Sequence, residues 1–298
     1  MGVEVSVPER SELLATVRGL VSAADEALLC VAFANQAGVR LLEGQLTTLG
    51  EGGRLLATTV FGSTTTAALH DAAGFGTQVR VYNHAAGTYH PKLYLARQTA
   101  RTRALVGSVN LTSGLLRNVE VAVLLEGPTS APPLAALWER AEALWTDDGT
   151  RAWEPAREPA VGDVLAEDLW ALVRATVSEG LTAHTVSDGK PNRITEVSRH
   201  GLWVETYRSQ ERGSGAQHVP AWMFNTAWDY LVARGRLANT TLLNELNVHR
   251  SSLVCAVLAL LAPVTVESRR PIVLSYDPAA VQARAADSAG PYEPGGPR

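Results

Sequence analysis

Between residues 9 and 145, short apolar runs alternate with stretches of helical periodicity, and that alternation leaves a chain few ways to fold. Residues 9–23 read as helix, 27–33 as an apolar strand, 38–49 as helix, 54–61 as strand, 65–73 as helix and 78–82 as strand. A strand, a helix and a second strand make a βαβ unit, whose crossover sets the two strands parallel. Three more strands follow at 89–96, 103–108 and 119–125, then a helix at 134–145. The expected class is α/β, with a mixed, mainly parallel sheet flanked by helices.

The segment 147–162 is rich in Pro, Gly and charge and reads as a domain boundary. Beyond it an amphipathic helix at 163–179 precedes strands at 194–199 and 202–208. Three helices at 221–234, 240–247 and 249–261 are followed by a hairpin of 264–267 and 272–276. Three helices and a β-ribbon are the layout of a winged helix. The expected organisation is a first domain over 1–150, a linker and connecting helix over 151–192, and a smaller winged-helix-like domain over 193–277. A disordered tail is expected over 278–298, where Ala, Gly, Pro and charge replace aliphatic residues.

A chain of 298 residues with 46% hydrophobic and 19% charged content buries a sizeable core and suits two domains better than one. No apolar run reaches the roughly 18 residues of a membrane span. The first ten residues are acidic and broken by Pro8, unlike the basic, apolar start of a signal peptide. A cytoplasmic location without membrane contact is expected. Cys30 and Cys255 lie inside apolar runs and read as small buried hydrophobes, not as metal ligands or disulfide partners. The net charge of −4 argues against holding a polyanion by charge alone. Its distribution is uneven: residues 193–276 carry nine Arg against six acidic side chains, whereas residues 1–150 carry 11 basic against 14 acidic. Ordinary surface charge accounts for that count as well as phosphate binding does.

Chemistry-bearing residues concentrate between 89 and 120. In Tyr89-His90-Pro91-Lys92, His90 and Lys92 stand two apart on an expected strand, so both side chains emerge on one face and offer an anion an imidazole and an ammonium. In Gly107-Ser108-Val109-Asn110, Ser108 and Asn110 share a face at a strand end, and Gly107 permits close backbone approach. Both pairs can meet one phosphate. In Asn118-Val119-Glu120, a carboxylate opens an otherwise apolar strand, where burial without a partner is costly, so Glu120 calls for a partner such as a histidine. Each fragment alone is commonplace as a solvated edge or turn; the three in this order are not.

His-x-Lys, then Gly-Ser-x-Asn, then Asn-x-Glu resembles the signature of phospholipase D superfamily nucleases. The likeness is to the single-motif branch that includes a metal-independent restriction endonuclease and helicase-associated nuclease domains, and it covers roughly residues 25–125. It implies a metal-independent phosphodiester hydrolase, an endonuclease without cofactor, cutting nucleic acid (DNA favoured) in a bacterial restriction or defence system, with a helicase or other defence protein as partner. His90 would attack phosphorus to give a phosphohistidine, and a second histidine would protonate the leaving oxygen. Lys92, Ser108 and Asn110 would stabilise the charge a metal otherwise would, and Glu120 would fix the imidazole tautomer. With one His-x-Lys in the chain, the second histidine implies a homodimer with its site on the two-fold axis. The wider superfamily carries an aspartate five residues after the lysine, where this chain has Arg97. The alternative is therefore a catalytically inactive phospholipase D-like DNA-binding or assembly protein.

Arg97, Arg101 and Arg103 are expected on a hairpin loop flanking the site, where they either guide a polyanionic strand or are simply solvated. In the helix at 249–261 only the first turn is polar. Arg250, Ser251 and Ser252 therefore suit the reading end of a recognition helix, or equally the polar cap of a buried one. Arg269 and Arg270 fall at the tip of the expected wing, within reach of phosphate. Dimerisation or docking of a partner protein is the other use of that domain. His70, His84, His184, His200 and His218 show no ligand spacing, and Trp138, Trp145, Trp170, Trp222 and Trp228 fall at helical spacings that favour packing.

Overall fold

A computed structural model of the chain describes residues 2–60, 62–83, 87–157 and 160–280. His84 and all but the first three residues of the expected disordered tail lie outside the described residues. The chain divides into two compact units, Met1–Val164 with Pro220–Asp229, and Leu165–Val219 with the residues from Tyr230 onward.

The first unit is built on an eight-stranded sheet. Its strands are β1 (Glu4–Ser6), β2 (Glu26–Val31), β3 (Gly53–Ala57), β4 (Gln78–Tyr82), β5 (Lys92–Gln98), β6 (Arg101–Gly107), β7 (Ala122–Pro128) and β8 (Thr150–Ala152), in the order β1-β7-β6-β5-β2-β3-β4-β8. Its helices are α1 (Leu13–Ser22), α2 (Gln36–Leu41), α3 (Glu43–Leu49), α4 (Thr66–Gly74), α5 (Gly114–Arg117) and α6 (Pro132–Trp145). The class is mixed α/β, but the sheet is not mainly parallel. Only β2 with β3 and β3 with β4 run parallel, and the other five of the seven pairings are antiparallel. The reason is connection length. Helices cross over between β2, β3 and β4, whereas Thr99 and Ala100 alone join β5 to β6, and so short a link must fold back.

The first unit also runs past the boundary expected at residue 150. Thr150–Ala152 pairs with β4 as the sheet's edge. The buried Asp163 carboxylate accepts the Gln36 and Ala37 backbone N–H groups at 2.8 and 3.0 Å, and the Thr65 hydroxyl at 2.9 Å. It thereby satisfies the open donors of helix α2 from 126 residues away along the chain. Burial pushes its pKa upward against those three donors.

On one face of the sheet, Trp138 and Trp145 of α6 pack over Leu28, Cys30, Leu56, Leu93 and Leu95. Both cysteines are buried and free, with burial pushing their thiols up to about 12. The Arg54 guanidinium lies 5.8 and 5.6 Å from the Trp138 and Trp145 ring centres and donates to both Glu142 carboxylate oxygens at 2.9 and 2.7 Å. That bidentate bond holds the Glu142 pKa below its ordinary value of 4.5. A depressed carboxylate contributes stability that is complete above its unfolded pKa and disappears as pH falls through the folded one. Glu142→Gln is therefore expected to lower urea-unfolding stability at neutral pH and to change it little in acid. A difference that ignored pH would exclude this account.

In the second unit, helix α7 (Glu167–Thr176) precedes a sheet of order β12-β11-β10-β9, made of β9 (Thr182–His184), β10 (Pro191–Ser198), β11 (Gly201–Thr206) and β12 (Gln217–Pro220), with helix α8 (Tyr207–Glu211) after β11. Helix α9 (Ala221–Arg234) enters from the residues of the first unit. Then come β13 (Arg236–Ala238), α10 (Asn239–Asn244), α11 (Ser251–Leu258), β14 (Val264–Arg269) and β15 (Ile272–Tyr276), with sheet order β13-β15-β14. The unit thus begins at Leu165, before the expected 193, because β9 pairs with β10. In α11, Ser251 and every residue from Leu253 to Leu258 are buried, and a helix apolar on all sides is core. Only the approach to it, His249 and Arg250, and Ser252 reach the surface.

Candidate active site

The exit from β2 gathers the motif residues. Ala32 N–H donates to Pro91 O at 2.7 Å, Leu111 N–H to Phe33 O and Asn35 N–H to Leu111 O, both at 3.1 Å. A single turn of chain is thereby stitched to the His90 loop on one side and to the Asn110 loop on the other. Tyr89, buried and donating to Leu56 O at 3.2 Å, anchors the loop just ahead of His90.

His90 stands in that loop, not on a strand as its spacing implies; Lys92 is the first residue of β5. Their side chains still meet. The Lys92 ammonium lies 2.7 Å from His90 Nδ1 and 3.0 Å from Nε2, and the imidazole and Phe33 rings pack in a T-shape with 5.6 Å between centres. Partial burial lowers the Lys92 pKa, and the Glu120 carboxylate opposes that shift. Phe33 N–H donates to Asn110 Oδ1 at 3.1 Å, which leaves the Asn110 amino group as the donor of that side chain. Phe33 therefore touches both halves of the site, a role invisible in the motif spacing.

Ser108 and Glu120 are joined to each other. The Ser108 hydroxyl donates to Glu120 Oε2 and accepts Val121 N–H at 3.1 Å, while Asn118 Nδ2 donates to Glu120 Oε1 at 3.1 Å. Two expectations change. Ser108 spends its proton on Glu120, and Glu120 bonds Ser108 and Asn118 in place of the His90 ring. Both follow from the close pairing of β6 with β7 at Gly107, the last residue of β6. A Cβ there would lie 2.2 Å from Val121 O and 2.6 Å from Ala122 Cα, so only glycine lets the two strand ends come this close. Asn118 was legible as part of Asn-x-Glu, but its bond to the carboxylate was not.

Beside His90 and Lys92 opens a hollow of about 560 Å³, bounded by Tyr82, Val106, Leu137, Arg140 and Leu144. Tyr82 stacks on Tyr89 with 4.9 Å between ring centres.

The hairpin arginines are not beside this site. His90 and Lys92 lie at the start of β5 and Ser108 at the end of β6, whereas Arg97, Arg101 and Arg103 lie at the opposite end of the β5–β6 hairpin. At roughly 3.3 Å per residue, the six residues from Lys92 to Gln98 put its tip about 20 Å away. Arg97 lies 3.7 Å over Trp138 and pairs with Glu26 at 3.4 Å, and Arg103 pairs with Glu126 and donates to Gly19 O at 3.0 Å. In the second unit, Arg250 donates to Gln217 Oε1 at 3.0 Å, Ser251 is buried, and Ser252 is exposed. Arg269 and Arg270 do fall at the β14–β15 hairpin tip, with Arg270 donating to Ser187 O at 3.2 Å.

Among the described residues no group of three His, Cys, Asp or Glu is placed to hold a metal ion, and no helix is long and apolar enough to cross a membrane. No protein-family model and no curated protein matches the chain. Among solved structures it is similar to Nuc from Salmonella typhimurium, a phospholipase D family member, at TM-score 0.41 and 16% identity, over 51% of this chain and 98% of that one. It is similar also to NucT from Helicobacter pylori, at TM-score 0.36 and 11% identity over 51% and 99% of the two chains. A phosphatidylserine synthase from Haemophilus influenzae gives TM-score 0.38 and 16% identity over 51% of this chain and 39% of that one.

Proposed function

We propose that the chain is a metal-independent phosphodiesterase of the phospholipase D type that cuts nucleic acid, DNA in the first place, through a phosphohistidine. The observation that carries this reading is the contact of His90 with Lys92 and of both His90 and the Asn110 side chain with Phe33, with Glu120 close enough to act on the ammonium. An imidazole nitrogen of His90 attacks phosphorus, a P–N bond forms, and the P–O bond to the leaving strand breaks as an acid protonates that oxygen. Water then attacks phosphorus, giving its proton to the same acid group, and the P–N bond breaks. Lys92 and the Asn110 amino group hold the charge growing on the nonbridging oxygens. Ser108 and Asn118 are positioning residues that keep Glu120 facing Lys92. The test is acid-quenched trapping of the intermediate: a phosphate label on His90, formed in the presence of a chelator, is expected. Cleavage abolished by chelation, with no labelled histidine, would overturn the reading.

The acid is the His90 of a second copy, so the active form is a homodimer. Val119 and Val121, on either side of Glu120, are 84% and 67% exposed, and apolar residues bared beside a catalytic carboxylate suit a covered face. Val119→Asp with Val121→Asp is expected to shift the chain from dimer to monomer in sedimentation, with activity falling in step. A monomer of undiminished activity would rule the dimer out.

In the second unit, a strand, two helices and a hairpin whose last strand pairs with the first suit the strand-helix-helix-wing part of a winged-helix reading, with Arg269 and Arg270 at the wing tip beside a phosphate backbone. The buried α11 leaves no helix face for a groove, so this contact is to the backbone rather than to base edges.

A further inference from the structure

The second unit contains a hollow of about 380 Å³ that the phosphodiesterase reading does not use. Lys190, Arg208, His249 and Arg250 line it, with Asp188 as its acidic residue. Lys190 is engaged by Asp188 at 3.1 Å, and Arg250 is held by Gln217. Arg208 is exposed and makes no ion pair among the described residues, and neither His249 nor the Ser252 hydroxyl has a partner there. So one guanidinium is fixed in direction by an amide, a second is uncommitted, and a hydroxyl stands beside them. That is the donor set of a phosphate, for which the planar, permanently charged guanidinium is the fitting group.

The hollow exceeds what a bare phosphate fills. Its remaining wall includes Leu253 and the half-exposed Tyr207, whose hydroxyl pKa is raised by hydrogen bonding to the Glu211 carboxylate. A lining that combines cationic side chains with an aromatic and an aliphatic one fits a ligand that carries both a phosphate and a flat ring. A space of this size falls in the range of small-ligand sites.

We propose that this hollow binds a phosphate ester of nucleotide size, its phosphate against Arg208 and Arg250 and its ring beside Tyr207 and Leu253. The ligand is either a free mononucleotide or the phosphorylated end of a strand. The site is independent of the chemistry at His90, and either assignment stands if the other fails.

Calorimetric titration of the full chain carrying Lys92→Met keeps the first site out of the measurement. The probes are AMP, adenosine, and a tetranucleotide with a 5′-phosphate or a 5′-hydroxyl. AMP is expected to bind about tenfold more tightly than adenosine, and Arg208→Gln to remove about that factor, as loss of one charge-assisted contact does. Arg208 is exposed, so its replacement leaves folding intact; Arg250→Gln is expected to act in the same direction, with thermal unfolding as its control. Tighter binding of the 5′-phosphorylated tetranucleotide than of AMP assigns the site to strand ends, and equal or weaker binding assigns it to the free nucleotide. Phosphorylated probes that fail to bind, that bind no better than their unphosphorylated forms, or that ignore Arg208→Gln would overturn the proposal.

Discussion

Replacing His90 by alanine is expected to lower phosphodiester cleavage by about three to six orders of magnitude, the range found when a covalent nucleophile is removed and only binding and electrostatic stabilisation remain. Lys92→Met should lower it by about two to three orders of magnitude, since it removes one preorganised charge and leaves the nucleophile in place. Neither change should disturb the fold. His90 is exposed, and its side chain contacts Lys92 and the Phe33 ring. Unchanged thermal unfolding together with lost turnover, measured on DNA with chelator present, separates chemistry from structure. Retained turnover in His90→Ala would exclude the histidine as nucleophile, whatever the fate of Lys92.

The βαβ part of the first unit is legible in the sequence because helical periodicity separates β2, β3 and β4, and β4 spans the residues its pattern marks. Strands β5, β6 and β7 fall within three residues of where they are expected, and a hairpin loop is expected between the first two, but the sheet as a whole is not mainly parallel as expected. The two-residue link Thr99-Ala100 contains none of the Gly, Pro or Asn that announce a tight turn, and Thr99 adopts a positive φ of 51° without that signal. Strands β1 and β8, three residues each, are too short to display a period of two and exist because a neighbour pairs with them. The site was legible as a set of residue types but not as a set of bonds. His90 and Lys92 do meet, although a loop held by Ala32 and Tyr89 replaces the expected strand. The Ser108 to Glu120 bond depends on how closely β6 and β7 approach, which no local pattern encodes. Arg97 shows the same limit: at the place where the wider superfamily has an aspartate, its charge goes to Glu26 and the face of Trp138, so it serves packing and says little about activity. The wrapping of α11 by its own unit was equally out of reach, because a polar first turn reads alike at a reading end and at a buried cap.

Gly38→Ala provides the sharpest test of how the site is held together, because two ordinary effects oppose each other there. Alanine is favoured over glycine inside a helix by about 1 kcal/mol, so on propensity alone the change stabilises α2. A Cβ at Gly38, however, would lie 2.3 Å from Leu111 O, 2.4 Å from its carbonyl carbon and 2.5 Å from Thr112 Cα, all of them backbone atoms. That stretch cannot step aside. Leu111 is bonded to Phe33 and Asn35 through its own N–H and C=O, and the Ser113 N–H is bonded to the Asn35 side chain at 3.1 Å. Overpacking costs about 1–3 kcal/mol and can exceed that, and overlap with fixed backbone atoms lies at the upper end, so the overlap wins and the net change is a loss of about 2 kcal/mol. The displaced segment begins one residue after Asn110, so cleavage should fall along with stability. Gly19 in α1 supplies the contrast. Nothing lies within 4 Å of a Cβ built there, and Gly19→Ala is expected to raise the midpoint of urea unfolding and leave turnover alone. Opposite signs at the two helical glycines would establish that α2 is pressed onto the Asn110 loop, and the same sign at both would show that it is not.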